Sequence, residues 1–190
     1  MPKLYLATEP EADALLASDP LALLIGMLLD QQVPMERAFG APYRLAQRLG
    51  TARLDAARLA SYDPEALAEI FATPPSLHRF PGAMAGRTQK LCQFLMDEYD
   101  GDAAAVWRGA ATGPELLKRL AALPGFGKQK AQIFAALLGK QLGVRPDGWQ
   151  EATGKYGEAG VHRSVADITD DASLARVREY KKQEKAAARG

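Results

Sequence analysis

Leu123-Pro-Gly-Phe-Gly127 joins two segments that have the sequence pattern of helices. A Gly-x-Gly turn that leads directly into a helix presents several backbone N–H groups together with the positive end of the helix dipole. Such an arrangement can hold a phosphate group. We therefore predict a phosphate-binding turn at residues 123–127, and the acid that follows in Pro146-Asp147 raises the question of chemistry beside it.

The segments on either side of the turn have the periodicity of amphipathic helices. Thr112-Gly-Pro-Glu115 has the form of a capping box and precedes leucines spaced along one helix face. After the turn, apolar residues recur from Ala131 to Leu138, and Gly139 is a candidate C-terminal stop. The pattern predicts a helix, a tight turn and a second helix over residues 112–139.

The composition of the 190 residues favours helices along the whole chain, because aromatic and β-branched residues are sparse while strong helix formers such as Ala, Leu, Glu and Arg are abundant. The 47% of hydrophobic residues is enough to bury a core. Asp19-Pro20 and Asp63-Pro64 have the form of helix starts. Between them, the nine-residue apolar run from Leu21 to Leu29 is about half of what spans a bilayer and predicts a buried core helix. Helical periodicity returns from Arg87 to Tyr99, after loop signals at 79–82. We predict an all-α fold.

Several site classes are excluded by composition. A single cysteine, Cys92, rules out an intrachain disulfide and a cluster held by four thiolates. His78 and His162 have no cysteine or acid at zinc-ligand spacing, so we expect no metal site. The N-terminus shows no signal-peptide pattern. We expect a cytoplasmic protein without a membrane partner, associated with the nucleoid if the source is a bacterium.

Charge is distributed unevenly, although the net charge is only +1. Residues 1–112 sum to −4 and residues 113–145 to +5. The following residues 146–175 sum to −4, and the tail 176–190 sums to +4. Basic charge therefore surrounds the Gly-x-Gly turn, an arrangement that favours binding of a phosphate backbone, and a solvated helix face is the alternative. For the tail, a solvated helix face is the simpler interpretation.

Residues 112–139 closely resemble the helix-hairpin-helix of the HhH-GPD DNA glycosylases, the superfamily of endonuclease III and the alkyladenine glycosylases. Two further segments match it in the right order. Gly143-Val-Arg-Pro-Asp147 stands where the family has its catalytic aspartate, and Leu28-Leu-Asp-Gln-Gln-Val33 is similar to its apolar helix that ends in glutamine. The resemblance covers roughly residues 19–147, and the Gln-Gln-Val form is closer to the alkyladenine branch.

The resemblance implies a two-lobed all-α fold with a cleft between the lobes. The expected central lobe spans residues 19–135 and includes the hairpin, and residues 1–18 with 136–190 form the second lobe. The expected partner is double-stranded DNA that contains a damaged base, bound by a monomer. No cofactor and no iron–sulfur cluster is expected, but the family often holds a monovalent cation at the hairpin.

The resemblance also assigns DNA-binding residues. Gly125 and Gly127 would hold phosphate through the backbone, assisted by Lys128 and Lys130. Gln32 would enter the space that the damaged base leaves; a polar residue at a helix end is the equally simple alternative.

Asp147 is the candidate catalytic residue, since a carboxylate beside C1′ stabilises positive charge on the sugar as the base departs. The alternative is a turn residue, or a helix N-cap paired with Gln150. Some relatives carry a second acid at the position of Gly148, and there that acid is catalytic. Trp149 could stack on a flipped base or fill the core.

Gln129 departs from the family pattern. Bifunctional relatives carry a lysine at this position, and its amine forms a Schiff base that supports strand cleavage. Glutamine cannot form that adduct, so Gln129 is expected to line the pocket of a monofunctional glycosylase. The alternatives are a catalytically inactive protein that senses DNA damage and a helical protein-interaction domain.

Overall fold

The computed structural model describes residues 2–190, and the prediction of an all-α fold is confirmed. This part of the chain contains no β-strand, only one isolated parallel bridge between Thr112 and Asp147. Two short 3-10 helices, Gly154–Tyr156 and Val165–Asp167, accompany the α-helices. The α-helices are α1 Pro10–Ser18, α2 Pro20–Leu29, α3 Met35–Leu49, α4 Ala56–Ala60, α5 Pro64–Ala72, α6 Pro81–Tyr99, α7 Ala105–Arg108, α8 Gly113–Ala121, α9 Lys128–Gln141, α10 Trp149–Ala152 and α11 Asp171–Arg189.

The helix starts that the sequence predicts are capped by side chains. Asp19 accepts hydrogen bonds from the N–H groups of Leu21 and Ala22, and Asp63 accepts one from Ala66. Thr112 accepts from the N–H of Glu115 at 3.2 Å. Each cap satisfies a donor that the first turn of a helix leaves unpaired.

Two predicted boundaries are wrong. Helix α6 begins at Pro81, inside the loop predicted at 79–82, because proline is tolerated at the first position of a helix. Helix α9 continues past Gly139 to Gln141. Gly139 is a packing residue rather than a stop, because the Trp149 ring lies against it.

Helix α2 forms the centre of the hydrophobic core, as the apolar run predicts. Residues 21–29 are all buried. The helix packs against α1 and α3, and its C-terminal end reaches the turn between α8 and α9. In the described part of the chain, no single helix is both long and apolar enough to cross a membrane, and α1 with α2 meets those criteria only as a pair bent by 116°.

The remaining helices form two groups around this centre. Helices α4 and α5 pack on α6, while α10 and both 3-10 helices pack on the hairpin formed by α8 and α9. The N-terminal segment reaches the C-terminal half, because the hydroxyl of Tyr5 donates to the carboxylate of Asp171. Buried apolar residues from Leu4 to Val177 form one continuous cluster. The division into two lobes stays a prediction.

Two glycines allow the segment after α9 to lie directly on the hairpin helices. The N–H of Gly113 donates to the carbonyl of Asp147 at 2.7 Å, and a Cβ at Gly113 would lie 2.3 Å from the carbonyl oxygen of Gly148. A Cβ at Gly139 would lie 2.4 Å from the indole ring of Trp149. The chain therefore needs glycine at both positions to keep this packing.

Substituting Gly113→Ala tests this packing. The new methyl group meets backbone atoms, so we expect a loss of about 1–3 kcal/mol in the free energy of unfolding, measured by urea denaturation. Gly86→Ala is the control, because a Cβ there has no atom within 4 Å and lies inside α6. That substitution should stabilise the protein by about 0.5–1 kcal/mol. Similar effects of the two variants would contradict the close approach.

Candidate nucleic-acid interface and active site

The hairpin turn is built against the end of the core helix. Leu123 and Phe126 are buried, and they anchor the turn in the core. Gly125 adopts a φ of +84°, a left-handed conformation that favours glycine, and a Cβ at this position would lie 2.4 Å from Cδ1 of Leu28. The turn therefore packs directly on the last turn of α2.

The start of α9 leaves its amide groups open. Gly127 is the N-cap residue, it is exposed, and no side chain caps the helix. The first backbone hydrogen bond into α9 runs from the N–H of Ala131 to the carbonyl of Gly127, at 2.9 Å. The N–H groups of residues 128–130 are thus left without an acceptor inside the helix. With the exposed Lys128 beside them, they have the arrangement that anion binding requires, and phosphate binding by this turn stays a prediction.

Lys130 lies in a different place from the one expected of a phosphate ligand. Its ammonium donates to the carbonyls of Met27 at 2.5 Å, Leu28 at 3.2 Å and Asp30 at 3.5 Å. These carbonyls belong to the C-terminal end of α2, where cations are favoured. Burial lowers the pKa of Lys130 to about 8, and Asp30 partly opposes this effect. Lys130 fastens α9 to α2, and its contact with DNA stays a prediction.

The loop that follows α2 is held from both sides. His78 is buried, and its Nε2 lies 3.1 Å from the carbonyl of Leu29 and 3.0 Å from that of Gln31. Arg87 of α6 donates to the side-chain carbonyl of Gln31 at 2.8 Å. Gln32, at the next position, is exposed and has a φ of +59°. A left-handed conformation is costly for glutamine, and such strain is typical of functional loops.

Gln129 lies at the start of α9, as the sequence places it. Its side chain is exposed, and its amide donates to the hydroxyl of Tyr156 at 2.9 Å. Tyr156 is buried and belongs to the 3-10 helix that packs along α9. This contact orients the glutamine amide beside the hairpin.

Asp147 lies at the other end of α9. Trp149, two residues after Asp147, packs its ring on Gly139. Gly139 is ten positions after Gln129 in α9, which is about 15 Å along the helix axis. Asp147 is exposed, and its carboxylate accepts no hydrogen bond from residues 2–190. The N-cap alternative is wrong, because α10 begins at Trp149 with Gly148 as its N-cap and no side-chain cap. Asp147 thus lies against the start of α8, at the end of the hairpin opposite its turn.

Trp149 is half-buried and fills space on α9. Beside its contact with Gly139, its indole ring lies 5.9 Å from the guanidinium carbon of Arg145. It also lines a cleft of about 410 Å³ with Lys140 and Asp167, and this cleft is distant from the hairpin turn. Its role as a residue of the base pocket stays a prediction.

Asp30 is a residue of this region that the sequence interpretation missed. It is the C-cap of α2, its backbone carbonyl accepts from Lys130, and protein atoms surround its side chain on most sides while part of it reaches solvent. Burial raises the pKa of Asp30, and Lys181 and Lys130 lower it in part. The available signal was its place as the first charged residue after the apolar run, directly before Gln31-Gln32.

Residues 25–189 match the model of a family described as HhH-GPD superfamily base excision DNA repair protein. The chain belongs to this superfamily. No curated protein and no solved structure matched it. The helix-hairpin-helix, the all-α fold and a role in base excision repair follow from this membership. HhH-GPD proteins are generally DNA glycosylases, so DNA binding is implied as well.

Lys130→Met tests the structural role of this lysine in the HhH-GPD fold. We expect a loss of about 1.5–3 kcal/mol in the free energy of unfolding, because charge-assisted hydrogen bonds to the α2 carbonyls are removed. Lys128→Met, at an exposed neighbour, should change it by less than about 0.5 kcal/mol. Equal losses would show that the ammonium of Lys130 does not fasten α2.

The same variant has a pH signature. The pKa of Lys130 is lowered to about 8 in the folded protein, from an ordinary value of 10.5. Between these values the unfolded chain binds more protons, so this group adds stability as the pH rises. The stability difference between wild type and Lys130→Met, measured by urea denaturation, should therefore grow between pH 8 and pH 10. A constant difference would contradict the lowered pKa.

Gly127→Asp separates folding from DNA binding. The backbone of Gly127 is extended, with open space around it, so an aspartate can cap α9 and should keep or raise the thermal stability. The same carboxylate opposes a phosphate, and we expect a loss of affinity for duplex DNA of about tenfold or more. Gly127→Asn adds a cap without charge and should lose less. Unchanged DNA affinity in the aspartate variant would place the phosphate elsewhere.

Proposed function

We propose that this protein is a monofunctional DNA glycosylase, which hydrolyses the bond between a damaged or mispaired base and deoxyribose in duplex DNA. The observation that carries the proposal is the packing of the open hairpin on the end of α2. It brings the amide groups of residues 128–130 together with the loop that holds Gln32. The amide groups of residues 128–130 and the Gln32 loop can then contact neighbouring nucleotides of the same DNA.

The hairpin binds a phosphate of the DNA backbone. Backbone N–H groups and the positive end of α9 hold a phosphate beside the target nucleotide, and the exposed Lys128 adds a charge. The monovalent cation that the resemblance implies would bind carbonyls of the turn. The carbonyl of Leu123 accepts one hydrogen bond, from the N–H of Phe126, and keeps a lone pair for such an ion.

The loop after α2 supplies the residue that enters the duplex. Extruding a nucleotide costs a few kcal/mol of stacking and pairing, and a side chain that fills the gap offsets part of this cost. Gln32 is exposed on a loop fixed by His78 and Arg87, so little ordering is needed when it inserts.

Hydrolysis without strand cleavage is supported by the amines near the grip. The family's lysine position holds Gln129, whose amide donates to Tyr156. Lys130 is the next residue but one after Lys128 in α9, and it is partly buried. Its amine donates to three carbonyls at the end of α2. Gln129 has no amine that could form a Schiff base, and the amine of Lys130 is engaged. Lys128 is one position before Gln129, so its side chain points about 100° away around the helix.

The reaction also needs a carboxylate beside C1′ of the target sugar. Asp147 is the residue that the sequence predicts, although it lies at the far end of α9. Asp147→Asn tests that role: loss of base release with intact DNA affinity supports it, and an active variant assigns the carboxylate to another residue.

The activity is tested with duplexes that carry alkylated, deaminated or oxidised bases. We expect the purified protein to release a base from at least one of them and to leave an intact abasic strand, detected by mass spectrometry and alkaline cleavage. Borohydride should trap no covalent complex with DNA, since no Schiff base forms. A trapped complex would contradict the monofunctional reaction. Binding of abasic-analogue DNA without base release from any duplex would favour the alternative, an inactive damage sensor.

A further inference from the structure

Asp30 is a recessed acidic group at the end of α2 whose carboxylate has no partner in the described part of the chain. Its carboxylate accepts no hydrogen bond within residues 2–190, and none of the seven ion pairs formed there involves it. Neither carboxylate oxygen of Asp30 is among the fully buried side-chain atoms that lack a hydrogen-bond partner in residues 2–190. Both oxygens therefore keep contact with solvent. A carboxylate held in the fold without a protein partner is available to a ligand.

The position of Asp30 is the meeting point of the elements that the proposed function needs. It ends α2, whose Leu28 contacts the hairpin turn. Its own carbonyl is bound by Lys130 from the first turn of α9, and it is two positions from Gln32. Asp30 therefore lies beside the first turn of α9, in the segment that joins α2 to Gln32.

Basic side chains from two other helices lie near Asp30. The positive charges of Lys130 and of Lys181 in α11 lower the pKa of Asp30. The positive charge of Arg87 lowers the pKa of Lys130. An ion pair between Arg178 and Glu36 holds α11 near the start of α3. A carboxylate among these cations repels phosphate and weakens DNA binding, so binding alone gives no reason for it. It becomes favourable when positive charge develops on the sugar.

We propose that Asp30 is the carboxylate that faces the deoxyribose of the extruded nucleotide. This inference rests on the proposed glycosylase function. The bond between C1′ and the base nitrogen breaks, and the base leaves with the electron pair. A water molecule forms the new bond to C1′ and gives a proton to Asp30. Asp30 passes that proton to the departed base, so the products are a free base and an abasic sugar with a hydroxyl group.

Asp30→Asn is the first test, with Asp97→Asn as the control. Asp97 is exposed on α6, and its carboxylate makes no hydrogen bond to residues 2–190. With a duplex that wild type processes, we expect Asp30→Asn to lower the single-turnover rate of base release by at least about 100-fold. The affinity of this variant for abasic-analogue DNA should equal or exceed that of wild type, because a charge that repels phosphate is lost. Its melting temperature should equal that of wild type. Asp97→Asn should match wild type.

Asp30→Ala with sodium formate is the second test. Removal of the side chain leaves space for a small carboxylate, so formate should restore part of the lost base release. Sodium chloride at the same ionic strength should not. Restoration would show that the carboxylate takes part in the reaction, which a structural role of the side chain does not explain.

The outcomes separate this inference from the proposed function. A wild-type protein that releases no base from any duplex overturns the proposed function and this inference with it. An active wild type whose Asp30→Asn variant keeps its rate overturns only this inference. A variant that loses rate, DNA affinity and melting temperature together, without rescue of Asp30→Ala by formate, shows a structural role and also overturns it.

Discussion

The ammonium of Lys130 joins the two elements on which the site depends. It bonds to the carbonyls at the end of α2, the central core helix, and it stands on the first turn of α9, directly after the hairpin. The contact of Leu28 with Gly125 completes the junction. The hairpin is therefore not a flexible corner between two helices. Its open amides are fixed relative to Asp30 and Gln32, as a site that holds an extruded nucleotide requires.

Local features of the chain could be predicted from the sequence. Caps at Asp19, Asp63 and Thr112 depend on residues within one helical turn, and the Gly-x-Gly turn carries its conformation in its own glycines. The buried helix at 21–29 follows from its uniformly apolar composition. The family was identifiable for the same reason, since its hairpin motif is a short continuous stretch.

Features that depend on packing between distant segments could not be predicted in this way. The sequence suggests that Lys130 faces DNA with Lys128, but the α2 carbonyls, a hundred residues away, bind its amine. Gly139 has the pattern of a helix stop, yet it is a packing surface for Trp149. Asp30 escaped notice because a single acid after an apolar run carries no motif. Its surroundings depend on the lysines that two other helices, α9 and α11, bring near it.

The position of the target sugar relative to Asp30 and to the hairpin decides whether these residues form one active site. A crystal structure of the protein with a duplex that contains a cationic abasic analogue would show it. We expect one phosphate on the N–H groups of residues 128–130, Gln32 in the duplex, and the cationic ring in contact with the Asp30 carboxylate. A ring bound at Asp147, or DNA held away from the hairpin, would contradict it.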